Sequence, residues 1–170
     1  MERNDGPPYR ERPCKGAFAT QHQETLNKVK TATETLRFST RGHNDIHDLT
    51  PAMKDLLRRS GVKDGLATAF VPGSTAAITT LEFEDGAISD LKNAISRLAP
   101  ENIPYEHNER WGDGNGFSHV RAALLGPSLS IPVVRGSLAL GTWQQIVLVD
   151  CDNRDRTREI ILQVMGTGAD

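Results

Sequence analysis

The chain has 170 residues, of which 37% are hydrophobic and 25% charged, and its formal net charge is −2. This composition is typical of one globular domain. The nearly balanced charge offers no strong positive field for nucleic acid or an anionic membrane surface. Aromatic residues make up only 5% of the chain, too few for the stacking platforms of a single-strand binder. We therefore expect no nucleic-acid partner.

The distribution of apolar residues and cysteines indicates a protein outside the membrane. No run of about 18 apolar residues is present, and the N-terminal stretch MERNDGPPYRERPCKG lacks the apolar segment of a secretory signal. Cys14 and Cys151 belong to no CxxC pair, so a disulfide framework is not expected. We expect a soluble protein of the reducing cytoplasm, with no membrane partner.

The N-terminal part of the chain differs in composition from the rest. Residues 1–30 are polar, contain Pro7, Pro8 and Pro13, and bury too little apolar surface to offset the entropy of ordering. We predict a flexible extension over 1–30, a folded domain over 31–166 and a short tail over 167–170.

The first predicted elements are a strand and a helix. Polar and apolar residues alternate over 33–38, the period-2 pattern of a strand with one buried face. Apolar residues then recur at helical spacing over 49–57. Thr50 is predicted to cap this helix, Pro51 suits its first turn, and Gly61 can end it.

Further elements follow in chain order. Residues 66–71 and 78–83 read as strands, and Glu84 with Asp85 marks the start of a helix that ends before Pro100. A short helix is predicted over 118–125. Extended segments are predicted at 129–134, 137–140, 143–150 and 158–165. Because the closing strands have no intervening helices, the pattern predicts a single α+β domain that is largely antiparallel.

A glycine-rich turn lies within residues 105–119, YEHNERWGDGNGFSH. Gly112 and Gly114 alternate with polar residues, and their backbone N–H groups could form an anion-binding nest ahead of a helix N-terminus. Asn115 could cap that helix or contact a ligand. The same residues also suit an ordinary turn followed by a capped helix, and spacing alone leaves both interpretations open.

Two histidines and one aspartate in this segment are candidates for acid–base chemistry or metal binding. His107 and His119 are twelve positions apart, and Asp113 lies between them. That spacing fixes no metal geometry, so the sequence by itself predicts no metal site.

Two other segments carry polar side chains that could face a ligand. Ser74 and Thr75 follow a Pro-Gly turn and could donate to phosphate oxygens, or could be solvated hydroxyls of a connection between strands. A strand over 143–150 would turn either Gln144 or Gln145 inward, and a buried glutamine needs a backbone or ligand partner.

Two remaining polar segments are predicted to be structural. His43 and His47 have the i, i+4 spacing that suits zinc on a helix, but they precede the predicted helix start. We interpret them as solvated loop histidines. The charged residues 153–156 are interpreted as a solvated turn between the last strands.

Several of these segments together resemble one family. STAAITTLE, PYEHNERWGDGNGFSHVRAALLGPS, IPVVRG and LGTWQQIVLVDCDNRDR occur in this order. They are similar to the secondary thiamine-phosphate synthase-like, or YjbQ-like, proteins over about residues 31–166. The resemblance implies a curled β-sheet with a few helices packed on one side, assembled as a homotrimer.

The resemblance also implies a polar pocket near a subunit interface and a weak activity that makes thiamine phosphate. That reaction joins a pyrimidine pyrophosphate to a thiazole phosphate and releases pyrophosphate. The implied pocket residues are His107, Asp113, Asn115, His119, Ser74, Thr75 and Gln144. Phosphate would be held by Ser74, Thr75 and the backbone of 112–115.

In the enzyme hypothesis, His119 or His107 protonates or charge-stabilises the departing pyrophosphate. Asp113 binds Mg²⁺ or orients a histidine, and no organic cofactor is implied. A metal, Mg²⁺ or Zn²⁺, would use His107, His119 and Asp113 as its protein ligands. Many members of the family have histidine where this chain has Gly73, which also keeps open a non-catalytic trimer that binds a metal or an anionic metabolite.

Overall fold

Eight strands and four helices form the part of the chain that the structure, a computed structural model, describes: residues 28–168. The strands are β1 (Lys30–Thr40), β2 (Asp45–Asp48), β3 (Asp64–Phe70), β4 (Ala76–Leu81), β5 (Ser128–Val134), β6 (Ser137–Leu138), β7 (Gln145–Asp150) and β8 (Arg156–Thr167). The helices are α1 (Thr50–Ser60), α2 (Asp85–Leu98), α3 (Glu106–Trp111) and α4 (Gly116–Leu125).

The strands form two sheets in which all the pairings are antiparallel. One sheet has five strands in the order β1-β8-β3-β5-β6, and the other has three in the order β2-β7-β4. The prediction of a single α+β domain with a largely antiparallel curled sheet is confirmed.

The main core lies between the two sheets and α1. Its buried members include residues of α1 and of the inner faces of five strands: Leu49, Met53, Leu56, Leu57, Ala67, Ala69, Val71, Ala76, Ile78, Ile131, Val133, Ile146, Leu148, Ile160, Leu162 and Val164. On β8 the buried residues alternate with exposed ones, as the period-2 pattern predicts. The five-stranded sheet therefore buries one face.

The three-stranded sheet is buried on both faces, because α2 and α4 cover the side that faces away from the main core. Val147 and Val149 join Ile46 and Cys151 in a second cluster, and Ile88, Leu91 and Leu125 pack against it. A strand buried on both faces needs a continuous apolar run, which explains the sequence IVLV over 146–149 in β7.

Helix α1 begins differently from the prediction. Its N-cap is Leu49, without a side-chain hydrogen bond, and the Asp48 carboxylate accepts from the Thr50 N–H at 2.8 Å. The predicted cap by Thr50 is wrong, because its hydroxyl instead accepts from the Ile146 N–H at 2.8 Å and ties α1 to β7. The helix ends at Gly61 (φ 67°), as predicted.

Helix α2 begins as its sequence predicts. Glu84 is the N-cap, and its carboxylate accepts hydrogen bonds from the Gly86 and Ala87 N–H groups. These donors would otherwise be unpaired at the start of the helix.

Three local predictions are wrong. Residues 45–48 form β2 and not a loop, and α3 was not predicted. Residues 139–140 and 143–144 lie outside the strands, because β6 ends at Leu138 and β7 begins at Gln145. Both missed elements are short, four and six residues, and too brief to show a period in the sequence.

None of the helices in residues 28–168 has the length and apolar content needed to cross a membrane. The predicted flexible extension lies almost wholly outside the described residues, as do Cys14 and the end of the predicted tail.

Candidate functional site

Three separate segments of the chain line one open cavity of about 500 Å³. They are the loop between β3 and β4, the region of α3 and α4, and the start of β8. The lining residues are Gly73, Ser74, Thr75, His107, Trp111, Asp113, Asn115, His119, Arg156 and Arg158.

The junction between α3 and α4 brings the two histidines together. Gly112 ends α3 in the left-handed region (φ 70°), and its N–H donates to the Asn108 carbonyl at 2.8 Å. At Gly116, the start of α4, a Cβ would lie 2.5 Å from Tyr105 Cβ, so only glycine allows this close approach. The rings of His107 and His119 then lie with their centroids 4.3 Å apart.

Asp113 and Asn115 complete this cluster. His107 Nε2 lies 3.4 Å from Asp113 Oδ2. We assign the Asn115 amide nitrogen from its neighbours as the atom 3.1 Å from His107 Nε2 and 3.1 Å from Asp113 Oδ1. The Asn115 amide nitrogen also lies 3.2 Å from Asp113 Oδ2, so it donates to the Asp113 carboxylate and lies against the His107 ring. The nearly buried Asn115 thereby holds His107 and Asp113 in one polar cluster.

The environment of His119 favours its neutral form. Burial lowers the pKa of His119 below 6.5, and the charge that His107 carries when protonated lowers it further. Asp113 and Asp152 act in the opposite direction but do not reverse the shift. At neutral pH His119 is therefore neutral and can act as a hydrogen-bond donor or acceptor.

A buried ion network forms the wall of the cavity beside the β3–β4 loop. Arg158 donates from Nε and Nη2 to the two carboxylate oxygens of Asp150 at 2.8 and 2.7 Å, and Nη2 also donates to Thr75 Oγ1 at 2.8 Å. Asp150 and Asp152 are fully buried, and Arg158 is only 9% exposed. Thr40 also donates to Asp150. Paired charges of this kind are held in one geometry by several bonds each.

Asp152 is the second acid of this network. Burial raises the pKa of Asp152, but hydrogen bonds from Arg156, Thr75 and the Asn153 N–H outweigh burial and hold the pKa below its usual range. Arg156 Nε lies 2.8 Å from Asp152 Oδ2. Asp152 therefore stays ionised and keeps both arginines at the cavity.

Six of the predicted site residues come together at the cavity: Ser74, Thr75, His107, Asp113, Asn115 and His119. Thr75, however, donates its hydroxyl proton to Asp152 at 2.7 Å and accepts from Arg158. Its hydroxyl has no proton left for a phosphate oxygen. The structure gives Thr75 a role in holding Arg158, whereas Ser74 is exposed at the cavity.

Three predicted site residues do not line this cavity. Gln144 is exposed and bonds to Thr80 Oγ1 and the Gly141 N–H, each at 3.1 Å. Gln145, its neighbour, accepts from the backbone N–H of Phe83. Gly112 uses its N–H at the end of α3, and Gly114 (φ 67°) shapes the loop without lining the cavity. The expected backbone nest therefore lacks one of its donors.

Two arginines at the cavity were missed from the sequence. Arg156 and Arg158 have the same parity as the buried residues Ile160, Leu162 and Val164 on β8. An arginine in phase with the buried face of a strand needs a carboxylate partner, and the nearby Asp150 and Asp152 provide it. The position of both arginines on the buried face of β8 could have been recognised in the sequence. It contradicts the interpretation of Arg156 as part of a solvated turn.

The interpretation of both early histidines as solvated loop residues is wrong for His47. It lies in β2, its Nε2 is 3.0 Å from Asp45 Oδ2, and its ring packs against Phe38 with centroids 5.5 Å apart. His43 is exposed, with Nδ1 3.6 Å from Glu101 Oε1.

An apolar groove of about 360 Å³ adjoins the cavity and shares Gly73, Ser74 and His119 with it. Its other lining residues are Ala76, Ala122, Ala123 and Pro127. The cavity and the groove therefore place a polar surface beside an apolar one.

The donor set at the cavity suits some metals better than others. Within residues 28–168, no group of three or more histidine, cysteine, aspartate or glutamate side chains is placed to hold a metal ion. A catalytic zinc site requires about three protein ligands. Mg²⁺ takes one or two carboxylates together with water and phosphate oxygens, and exposed Asp113 can supply one.

We predict that Arg158→Met destabilises the protein by about 3–5 kcal/mol, because it leaves Asp150 buried without its cation. Arg37→Met is the matched control, since Arg37 forms an ion pair with Glu159 at 2.8 Å in which the two side chains are 74% and 48% exposed. That pair should contribute about 0–1 kcal/mol. Urea unfolding at neutral pH measures both, and equal losses in the two variants would contradict a structural role for the network.

The lowered pKa of His119 predicts a dependence of stability on pH. The unfolded chain binds a proton at His119 near pH 6.5, whereas the folded protein binds it only at lower pH, so stability falls as the pH drops below 6.5. His119→Gln should show a smaller fall in melting temperature between about pH 7.5 and 5.5. Ser74→Ala alters the same cavity without removing a titrating group and should keep the wild-type dependence. Equal slopes in all three proteins would show that His119 is not held neutral.

Comparison with known proteins gives the family of this chain. The sequence profile described as "UPF0047 protein YjbQ-like" matches residues 34–167. A UPF0047 protein of Methanothermobacter thermautotrophicus is 36% identical over 134 residues, which cover 79% of this chain and 92% of that protein. A UPF0047 protein of Mycobacterium bovis is 38% identical over 116 residues, covering 68% and 87%.

Solved structures of similar proteins indicate the same family. A YbjQ-like protein of unknown function from Sulfolobus solfataricus has a TM-score of 0.78 and 32% identity, covering 82% of this chain and 99% of its own. A yjbq/upf0047 family protein of Clostridium acetobutylicum has a TM-score of 0.70 and 30% identity, covering 77% and 98%. The chain, with its paired histidines and buried arginine beside one cavity, belongs to the UPF0047 (YjbQ-like) family.

Proposed function

We propose that this protein is an enzyme that acts on phosphorylated small molecules. The observation that supports it is the convergence of His107, Asp113, Asn115 and His119 with Ser74 at one open cavity, from segments far apart in the chain. Titratable groups that converge on a cleft with donors and a perturbed pKa are the usual composition of an active site. A solvated turn would not require a nearly buried Asn115 beside the His107 ring and the Asp113 carboxylate.

The reaction that we propose to test first is the synthesis of thiamine phosphate. In this reaction a carbon–nitrogen bond forms between the thiazole and the pyrimidine methylene, and the carbon–oxygen bond to pyrophosphate breaks with its electron pair leaving on oxygen. The step that most needs help is the separation of this anion. The apolar groove lined by Ala122, Ala123 and Pro127 offers space for a heteroaromatic ring next to the polar cavity.

The histidines are proposed to assist the leaving group. His119 is neutral at rest because burial lowers its pKa, and an arriving polyanion would favour its protonation. His107 lies in ring contact with His119 and 3.4 Å from the Asp113 carboxylate. A proton bound by this pair would compensate charge that develops on the departing pyrophosphate.

A divalent cation is part of the proposal. Asp113 is exposed at the cavity and would hold Mg²⁺ together with water and substrate phosphate oxygens, the ligands that this hard cation prefers. Zn²⁺ with His107, His119 and Asp113 is less well supported, since these three do not form a metal-binding group. When bound, Mg²⁺ would neutralise phosphate charge.

The alternative is a non-catalytic trimer that binds a metal or an anionic metabolite. Two observations favour it. The Thr75 hydroxyl donates to Asp152 and not to a ligand, and Gly73 offers no side chain, so the cavity has fewer groups that could take part in catalysis. A binder of this kind needs only donors and a fitted cavity.

We predict that His119→Ala lowers the turnover of thiamine phosphate synthesis by about 10²-fold or more and changes substrate binding little. The assay supplies both substrates and Mg²⁺ and follows thiamine phosphate and pyrophosphate together. Gln144→Ala, which alters a residue outside the cavity, should retain wild-type turnover.

Unchanged turnover in His119→Ala would remove His119 from the mechanism. No turnover by the wild-type protein would reject the synthase proposal. In that case, a rise in melting temperature with pyrophosphate or thiamine phosphate would favour the binding protein, since a ligand at a hundredfold excess over Kd stabilises by about 2.7 kcal/mol.

We also propose that the protein assembles as a homotrimer, with the outer face of the five-stranded sheet as part of the interface. Leu66 is paired with Met165 on one side and Pro132 on the other, and Phe70 is paired with Ile161. Leu66 and Met165 are 46% and 48% exposed. Adjoining apolar side chains on an open sheet face are typical of a surface that packs against another chain.

We predict that Leu66→Lys converts the trimer into monomers, because it places a charge within this apolar face. Light scattering coupled to size exclusion measures the mass of each species. Leu98→Lys, at an exposed position on α2 away from the sheet, is the control and should leave the mass unchanged. A wild-type protein that is monomeric at micromolar concentration would reject the proposal.

A further inference from the structure

The Arg158 guanidinium is held from one side only. Its Nε–Nη2 edge bonds to both oxygens of Asp150, and Nη2 also reaches Thr75 Oγ1. Among residues 28–168, the hydrogen bonds found for this guanidinium involve Nε and Nη2, and none involves Nη1. A guanidinium is planar, so a carboxylate on the Nε–Nη2 edge leaves Nη1 on the far side. Nη1 is therefore a fixed donor with no partner in this part of the chain.

The backbone at Gly73 leaves the space beside Nη1 open. A Cβ built at Gly73 would lie 3.4 Å from Arg158 Nη1, so even the smallest side chain would stand in contact with this nitrogen. The φ of Gly73 is 148°, a conformation that other residues rarely adopt. Gly73 and Arg158 both line the cavity. The loop thus exposes one end of a side chain that is otherwise buried.

The charges around this nitrogen decide what it can bind. Arg156 and Arg158 are balanced by Asp150 and Asp152, so the buried acids leave no net negative charge on this wall. Asp113 also lines the cavity, but His107 and the Asn115 amide contact its carboxylate. An anion would therefore be attracted by directed donors more than by a general field, and Ser74 adds an exposed hydroxyl.

We propose that Arg158 Nη1, together with the Ser74 hydroxyl, binds an oxygen of a phosphoryl group, and that Gly73 is the specificity-determining position that keeps this donor accessible. The proposal deepens the proposed function and rests on it for the chemical class of the ligand, a phosphorylated small molecule. Thr75, Asp150 and Asp152 are positioning residues that act through Arg158. This assignment moves the phosphate contact from the predicted glycine backbone to the start of β8.

Titration calorimetry with inorganic phosphate tests this subsite without requiring turnover. Gly73→Leu should weaken phosphate binding about tenfold or more, because its side chain covers Nη1 and removes a charge-assisted hydrogen bond. Gly126→Ala is the matched control: Gly126 also has a positive φ (88°), but a Cβ there meets nothing within 4 Å. The Gly126→Ala variant places a non-glycine residue at a positive φ outside the cavity, and it should bind phosphate as the wild type does.

Arg158→Lys provides a second, independent variant. Lysine keeps the charge beside Asp150 but cannot bond to Asp150 with two nitrogens and present a third to the cavity, so phosphate binding should again fall about tenfold. Melting curves establish that each variant is folded. If Arg158→Lys does not fold, the test uses Gly73→Leu and Ser74→Ala. Ser74→Ala should lose less phosphate affinity than Gly73→Leu.

Three results would overturn the proposal: no phosphate binding by the wild type, wild-type affinity in folded Gly73→Leu, or tighter binding of acetate than of phosphate. Failure of the proposed function gives a different result. If His119→Ala and the wild type bind phosphate equally but neither makes thiamine phosphate, the synthase reaction is rejected and the phosphoryl subsite at Arg158 stands.

Discussion

The ion network of Arg158, Asp150 and Asp152 is the interaction on which the candidate site depends. Two fully buried carboxylates are tolerated at the ends of apolar strands only because arginines and hydroxyls bond to them. The network joins β7 and β8, which belong to different sheets, to the β3–β4 loop. It therefore fixes the relative position of the sheets at the same place where it directs Arg158 to the cavity.

Most elements of the fold could be predicted from the sequence. In a long segment, the spacing of the apolar residues indicates both the type of element and the face that is buried. The strand alternation of β8 and the capping acid of α2 are examples, since each depends on a few neighbouring residues. β2 and α3 could not be predicted in this way. Each is too short for a period, and β2 is stabilised by its pairing with the distant β7.

The candidate site was predicted in part. His107, Asp113, Asn115 and His119 lie within one short segment, so their convergence follows from a single turn. Ser74 was placed by the resemblance and not by spacing, because it lies in another loop. Gln144, which the resemblance placed in the pocket, lies in a turn before β7 and does not line the cavity, because β7 begins at Gln145 and not at residue 143. Arg158 was overlooked because the residues that share the buried face of the predicted strand over 158–165 were not identified.

The distribution of charge in the cavity links these observations to function. The two arginines are neutralised by buried acids, and His119 is kept neutral by burial, so these groups leave no excess positive charge at the resting cavity. Such a cavity would hold an anion by directed hydrogen-bond donors more than by net charge. It can, however, gain positive charge in response to one, because a bound anion favours protonation of the histidines and brings its own cation. In the proposed reaction, charge that increases in this way would stabilise a departing pyrophosphate more than the bound substrate, which is the difference that catalysis requires.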